Sequence, residues 1–364
     1  MHSRTTAVPA AQAPPQAPAV AVVIPAYNEA EHIEETIAAV RAQTRLPDRI
    51  IVVDDCSSDG TGDIARELGV EVIRTPRNQG TKSQALNYAL TEIASDITVN
   101  IDADTVLEPT ALSAIIDAFV ADPEVVLASG YTIPKGTGSC WERGRVVEYL
   151  FNIELYRMAQ DSAGVPVVSA GCFLAFRTEA IRTYGGFNPN TMAEDMHLTW
   201  EVLLGGGKVR FVPGAVCRSA DPSTWPVYFG QMNRWYRGFF QNLKLFWRTL
   251  HHRKLLGLFV WSSLVDACVF PVSMLIGLYA LVGGLLDWTH PDWTIFLVTG
   301  LALDLALISF YAFRGAIRLG CVPLVARSIP YFYFLRTVNI GLWYRALYLE
   351  VIRGQQLRTW DKGH

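Results

Sequence analysis

Residues 267–286, ACVFPVSMLIGLYALVGGLL, run for twenty positions without one charged side chain. That matches the roughly 20 apolar residues a helix needs to cross about 30 Å of hydrocarbon. A second stretch, 293–313 (WTIFLVTGLALDLALISFYAF), repeats the pattern with one acid, Asp304, near its centre. The composition agrees: 51% of residues are hydrophobic and only 18% are charged, against roughly 25% charged in ordinary soluble domains. The link between the stretches, DWTHPDW, has two acids, two Trp and no Lys or Arg, whereas Arg248, Arg253, Lys254, Arg314 and Arg318 flank the outer ends. Positive-inside logic places the link outside and the polar domain in the cytosol. The expectation is therefore a multi-pass protein of the cell (inner) membrane with a cytoplasmic domain. A third apolar stretch, 329–349, holds Arg336 and Arg345 and reads as interfacial or re-entrant, with a full span as the weaker option. An acid inside a span is costly, so Asp304 is either functional or a hydrogen-bonded carboxyl between helices. Asp266 reads as sitting at the cytosolic edge.

Upstream of the apolar region the texture changes. Residues 1–19 are an Ala/Pro-rich leader without an apolar core, expected to be disordered and unlike a signal peptide. From Val20, apolar runs alternate with amphipathic ones. AVAVVIP, RIIVVDD, VEVIRT and DITVNIDAD read as strands, and EAEHIEETIAAVRAQT, GDIARELG and KSQALNYALTEIA as helices, the first capped by Asn28. This alternation predicts an α/β domain with a parallel sheet. Ligands on such sheets sit at the carboxyl ends of the strands. There the polar residues gather: Asn28 and Glu29, Asp54 and Asp55, Asp102 and Asp104. No G-x-G-x-x-G follows the first strand, which excludes the usual dinucleotide fold. Segment 141–160 (WERGRVVEYLFNIELYRMAQ) reads as core packing or an interfacial helix. Four parts follow: leader 1–19, cytosolic domain 20–226, interfacial helix 227–254, and a membrane region with tail, 255–364. A net charge of −3 argues against nucleic acid as partner. Six scattered cysteines without a C-x-x-C pair read as reduced, mostly buried thiols rather than a disulfide or zinc framework.

Three constellations carry chemistry. Asp102 and Asp104 flank Ala103 at a strand end, where two carboxylates can share a hard cation, Mg²⁺ or Mn²⁺, which commonly bridges phosphates. Their bland reading is a solvated acidic turn. Glu194 and Asp195 offer a carboxylate that can take a proton from a hydroxyl, or simply acids in the first turn of a helix. Gln231, Arg234 and Trp235 stand at i, i+3 and i+4 and share a helix face. The Arg fork suits pyrophosphate and the indole offers a flat face for a sugar ring; an aromatic belt beside a bilayer is the alternative. His197 reads as an exposed helix histidine.

With VVIPAYNE, VVDDCSSDGT, NQGTKSQALN, IDAD, AGCFLAFR, AED and QMNRW in this order, the chain resembles the processive, inverting family-2 glycosyltransferases: the cellulose, chitin, hyaluronan and poly-N-acetylglucosamine synthases. The resemblance runs motif by motif from Val20 to Trp247, and Q-x-x-R-W belongs to processive members. It implies a Rossmann-like GT-A domain and transfer from a UDP-sugar to a growing glycan at a lipid bilayer. Pro25, Tyr27, Glu29 and Asp55, with Asp54 beside them, would then hold the uridine end. Lys82 would meet the nucleotide or its phosphates. Asp102 would contact the nucleotide or ribose, and Asp104 would ligate the metal. Asp195, with Glu194 beside it, would be the general base. Gln231 and Arg234 would hold pyrophosphate, and Trp235 would stack on the acceptor, with Gly171, Cys172 and Phe173 lining the acceptor site. AGCF departs from the FCGS-like form of cellulose synthases, and segment 141–160 looks more like the poly-N-acetylglucosamine and chitin branch, which points to an N-acetylglucosamine donor. No span precedes the domain and two follow it. Two helices cannot enclose a watery path, so a homo-oligomer or an accessory membrane subunit would complete it, unless the product is short or lipid-linked. The rival readings are a non-processive transferase acting on a polyprenyl phosphate and an inactive membrane scaffold of the same fold.

Overall fold

The computed structural model describes residues 17–286 and 291–358. Most of the leader and residues 287–290 of the DWTHPDW link lie outside them. In chain order the elements are β1 (Val20–Ala26), α1 (Ile33–Arg41), β2 (Arg49–Asp54), α2 (Thr61–Glu67), β3 (Glu71–Arg74), α3 (Lys82–Leu90), β4 (Ile97–Ile101), β5 (Thr105–Leu107) and α4 (Ala111–Ala121). Next come β6 (Val125–Pro134), α5 (Cys140–Asn152), a π-helical turn (Ile153–Arg157), α6 (Met158–Ser162), β7 (Phe173–Arg177), α7 (Thr178–Thr183), α8 (Glu194–Leu204) and β8 (Lys208–Ser219). Four long helices close the chain: α9 (Trp225–Phe246), α10 (Lys254–Leu285), α11 (Pro291–Leu319) and α12 (Val322–Leu347).

The sheet order is β3-β2-β1-β4-β7-β6-β8-β5. The first four strands are parallel, as the alternation predicts. The sheet as a whole is mixed, because β7 enters antiparallel between β4 and β6. Every residue of β1 is buried, since helices cover both faces of a parallel sheet. The period of two splits that run between two cores. Ala21, Val23, Ile51 and Val53 pack with Leu86, Trp200 and Phe239 on one face. Val20, Val22, Ile24 and Val52 pack with Ile33, Ile37 and Leu112 on the other.

The first helix begins at Ile33, with His32 rather than Asn28 at its N-cap. Asn28 instead takes a left-handed φ of 52°, and its Oδ1 accepts the Ser58 N–H at 2.9 Å. The asparagine therefore shapes the loop after β1, because an Asx side chain can substitute for a backbone acceptor in a turn. His197 is buried rather than exposed, its Nε2 2.8 Å from Asn188 Nδ2. Of the described free thiols only that of Cys217 is buried; Cys56, Cys140, Cys172 and Cys321 are partly exposed.

Helix α5 joins the polar domain to the apolar helices. Gly144 lets α12 approach it closely: a Cβ there would lie 2.8 Å from both Leu335 methyls. Residues 329–347 of the third apolar stretch belong to α12, which packs on α5 and α9, and a π-helical turn (Tyr348–Ile352) follows it. Two helical segments, Lys254–Leu285 and Leu297–Leu319, are long and apolar enough to cross a membrane. Their exposed side chains include Leu258, Trp261, Leu275, Leu278, Leu303 and Phe310, a surface suited to lipid. Asp304 in α11 accepts from the Tyr333 hydroxyl at 3.0 Å and from Arg336 at 2.9 and 3.0 Å, both on α12. It is thus a hydrogen-bonded carboxyl between helices, and Arg336 is its cation.

The chain beyond α12 folds back on α9. Glu350, fully buried, accepts from Arg237 Nε at 2.7 Å, Gln241 Nε2 at 3.1 Å and the Leu357 N–H at 3.0 Å. Removing one member of a buried pair strands the other charge, at a cost of about 3–5 kcal/mol. Glu350→Ala therefore lowers the thermal unfolding midpoint of the detergent-solubilised protein markedly, whereas Glu124→Ala, at the surface, leaves it unchanged.

Candidate active site

The carboxyl ends of β1, β2 and β4 open into a cleft of about 1260 Å³, walled on its other sides by α5, α8 and α9. On the β1 side, Pro25, Tyr27 and Glu29 line it. Tyr27 is exposed and Glu29 is buried. Asp55, after β2, accepts the Thr75 hydroxyl at 2.8 Å and the Gln79 N–H at 3.0 Å. It thereby fixes the loop that leads to Lys82. Burial pushes the Asp55 carboxyl above its ordinary value despite those hydrogen bonds.

Asp102 and Asp104 follow β4, and both line the cleft. Burial first, and the Asp102 charge second, push the Asp104 carboxyl up to about 7. Lys82, at the start of α3, forms an ion pair with Asp102. Burial alone would lower the Lys82 ammonium; the carboxylates of Asp102 and Glu194 outweigh it and hold it above its ordinary value.

Gly171 ties these groups to the acidic pair. Its N–H donates to Asp195 Oδ2 at 2.9 Å. Its carbonyl accepts from Lys82 Nζ at 3.0 Å and from Asn100 Nδ2 at 2.6 Å. The other Asp195 oxygen accepts the Met196 N–H at 2.7 Å. Both lobes of that carboxylate are held by backbone donors, so its orientation does not depend on a flexible partner. Glu194 lies beside it, its carboxyl raised by burial and by the Asp195 charge and opposed by Lys82 and Arg234.

Gln231, Arg234 and Trp235 line the same cleft from α9. This helix is locked to the acidic pair: Gln241 Oε1 accepts the Met192 N–H at 2.9 Å, and Asn242 Nδ2 donates to the Ala193 carbonyl at 2.9 Å. Gly171 and Cys172 also line the cleft. Two expected residues fall elsewhere. Asp54 is fully buried beneath the loop, accepting the Ser57 N–H at 2.8 Å and pairing with Arg74. Phe173 is fully buried in β7 against Gly130. Asp54 therefore shapes the loop and Phe173 fills the core.

The sequence reading missed a group on α5. Arg145, Glu148 and Tyr149 line the cleft, with Asn152, Tyr156 and Arg157 further along. Asp221, from the loop after β8, joins them. Arg145, Glu148 and Tyr149 stand at i, i+3 and i+4, a signal that was legible. Nothing in the sequence marked Asp221. Asp266 of α10 also lines the cleft.

A GT-A-type sheet, an Asp-x-Asp at the end of β4 and an acidic pair opening α8 define a glycosyltransferase. Residues 21–185, from β1 to just past α7, match the model of the glycosyl transferase family 2. Among curated proteins, the poly-beta-1,6-N-acetyl-D-glucosamine synthase of Staphylococcus epidermidis is 23% identical over 309 residues, 83% of this chain and 75% of that protein. The synthase of the same name from Staphylococcus aureus strain COL is 26% identical over 223 residues, 60% of this chain and 54% of that one. Among solved structures, the mannosyltransferase PcManGT of Pyrobaculum calidifontis, in complex with GDP-Man and Mn²⁺, aligns with a TM-score of 0.61 and 22% identity, covering 84% of this chain and 87% of that one. The two share a fold.

A Cβ at Gly171 would lie 3.3 Å from both Cβ and Oδ2 of Asp195. Gly171→Ala therefore displaces Asp195 by a few tenths of an ångström. A reacting group misplaced by about 1 Å costs about a hundredfold; with Asp195 as the base proposed below, this smaller shift lowers kcat by up to about tenfold while the unfolding temperature holds. An unchanged kcat would show that the orientation of Asp195 is immaterial.

Proposed function

We propose that the protein is an inverting, processive glycosyltransferase that builds a β-linked glycan from a UDP-sugar, with UDP-N-acetylglucosamine as donor, at the cytoplasmic face of the cell membrane. One observation carries this reading: Asp102, Asp104, Asp195, Arg234 and Trp235, far apart in the chain, line one cleft. The named activity of the staphylococcal relatives supports the polymer and the sugar.

In this reading Tyr27, Glu29 and Asp55 receive the nucleoside end. Lys82 and Arg234 supply positive charge for the diphosphate. Asp195 removes the proton from the acceptor hydroxyl; the freed oxygen attacks the anomeric carbon from the opposite face, and the bond to UDP breaks with inversion. Trp235 presents its ring to the sugar at the chain end.

A divalent ion fits the other acids. Asp104 is half-buried beside Asp102, and the Asp102 charge adds to burial in raising its carboxyl, a pair that a cation would relieve. Among the described residues no three acidic, His or Cys side chains converge into a cage, which suits an ion completed by substrate phosphates. Mg²⁺ or Mn²⁺, held by Asp104 and Asp102, would neutralise the charge developing on UDP.

Asp195→Asn abolishes polymer formation while UDP binding, read by calorimetry, stays within about twofold, because the base touches the acceptor and not the nucleotide. Product size separates the two transferase readings: radiolabelled UDP-N-acetylglucosamine yields polymer, whereas a single sugar on polyprenyl phosphate would overturn processivity. In sealed vesicles with the cytoplasmic face outward, the chain purified alone leaves its polymer accessible to added glycosidase. Protection of that polymer would remove the need for a second copy or an accessory subunit to complete a path.

Protons and the ion compete for Asp104. Its carboxyl loses its proton as pH rises through about 7. The Mn²⁺ concentration giving half-maximal activity should therefore rise about tenfold per pH unit below 7 and level off above it. A flat profile from pH 5.5 to 8 would exclude competition between the ion and a carboxyl that titrates near 7.

A further inference from the structure

The α5 wall of the cleft is organised around one buried cation. The Arg145 side chain is 2% exposed. Its Nε donates to Asp221 Oδ1 at 3.1 Å, its Nη1 to Glu148 Oε2 at 2.9 Å and its Nη2 to the Tyr149 hydroxyl oxygen at 2.8 Å. Its face lies 4.7 Å from the Trp235 ring centroid. One guanidinium thus fixes four cleft-lining side chains: two carboxylates, a phenol and an indole. Their wall continues past Asn152 and Tyr156 to Ser263 and Asp266 of α10.

Two groups in this cluster are built but unused. The Asp221 side chain is 1% exposed, yet its Oδ2 is buried without a hydrogen-bond partner. A buried carboxylate oxygen without a donor is costly, and Asp221 lines the cleft. The Tyr149 hydroxyl accepts from Arg145, so its own proton remains to be donated. A lone acceptor beside a lone donor, next to an indole, is the pattern that meets a sugar: O–H groups that give and take hydrogen bonds above an apolar ring face. The same pattern refuses phosphate, which has no proton to give Asp221 and would meet two carboxylates against one guanidinium.

We propose that Asp221, with Tyr149, forms a subsite that recognises a hydroxyl of the acceptor sugar, with Arg145 as the positioning residue that holds both. This rests on the transferase reading above and extends it to residues which that reading does not use. Position selects the acceptor over the donor. The nucleoside residues and the Asp-x-Asp acids lie at the ends of β1, β2 and β4, with Lys82 on α3 and Arg234 on α9 supplying charge for the diphosphate between them. The Arg145 cluster lies on α5 and the loop after β8, on the wall that continues to Ser263 and Asp266 of the apolar helix α10.

The test is steady-state kinetics of the full-length enzyme in nanodiscs, with UDP-N-acetylglucosamine as donor and a short N-acetylglucosamine oligosaccharide as acceptor. Asp221→Asn and, separately, Tyr149→Phe raise the acceptor KM by about tenfold, the scale of one hydrogen bond to a charged or polar group. The donor KM and acceptor-independent UDP release stay within about twofold of wild type. A set of monodeoxy acceptors gives the chemical signature: one member binds the wild type about tenfold worse, and binds Asp221→Asn no worse than the parent acceptor does. Should Asp221→Asn fail to fold, Tyr149→Phe carries the same readout, since it removes one hydroxyl and keeps the ring. Unchanged acceptor KM values, or a rise confined to the donor, overturn the subsite and leave the transferase reading intact. Absence of acceptor-dependent UDP release from the wild type overturns both.

Discussion

The peptide of Gly171 is the junction on which the site depends. Its N–H orients Asp195, and its carbonyl receives Lys82 and Asn100. Lys82 in turn pairs with Asp102. One backbone unit thus couples the proposed base to the proposed phosphate end through hydrogen bonds alone. Backbone donors lose no side-chain entropy when they hold a charge, and they cannot swing away. A glycine is needed because any Cβ would press on Asp195.

That junction exists because β7 runs against the grain of the sheet. The parallel strands β1, β2 and β4 point their carboxyl ends into the cleft. An antiparallel neighbour presents its amino end there instead. Ile101 pairs with Phe173 in register, and the Asp102 N–H donates to the Cys172 carbonyl at 3.1 Å. The residues before β7 are therefore laid across the Asp-x-Asp turn. A further parallel strand would have placed its loop at the opposite edge. Phe173 belongs to this scaffold: its place in the register buries it, while Gly171 and Cys172 just before it reach the cleft.

What the sequence disclosed follows the same division. Strand and helix alternation was legible up to β4 because each buried strand is a short apolar run and each helix an amphipathic one. The i, i+3, i+4 spacing of Gln231, Arg234 and Trp235 was legible because α9 is regular. Asp54 and Asp55 could not be told apart. They are adjacent acids, and only the side on which each projects sends Asp54 under the loop and Asp55 into the cleft. His197 looked like a surface histidine because its partner Asn188 lies in the preceding loop. Asp221 was hidden by tertiary structure: it lies 76 residues from Arg145, and no local pattern announces such a pair. Glu350 is the same case, an acid near the end of the chain whose partners stand on α9.

The shape of the α5 wall has a local cause. Cleft-lining residues Arg145, Tyr149, Ile153 and Arg157 recur every four positions, as do Glu148, Asn152, Tyr156 and Gln160. On an α-helix of 3.6 residues per turn, each i+4 step drifts by about 40°, so both rows would leave the cleft within three steps. The π-helical turn at Ile153–Arg157 widens the winding where that drift would accumulate, and π turns of this kind recur at functional sites. It keeps Tyr156, Arg157 and Gln160 on the wall begun by Arg145. The opposite face of α5, with Gly144 against Leu335 and Leu150 near Gly315, stays packed on α12 and α11. One helix with a single irregular turn thus serves as both the floor of a polar cleft and the seat for the apolar helices.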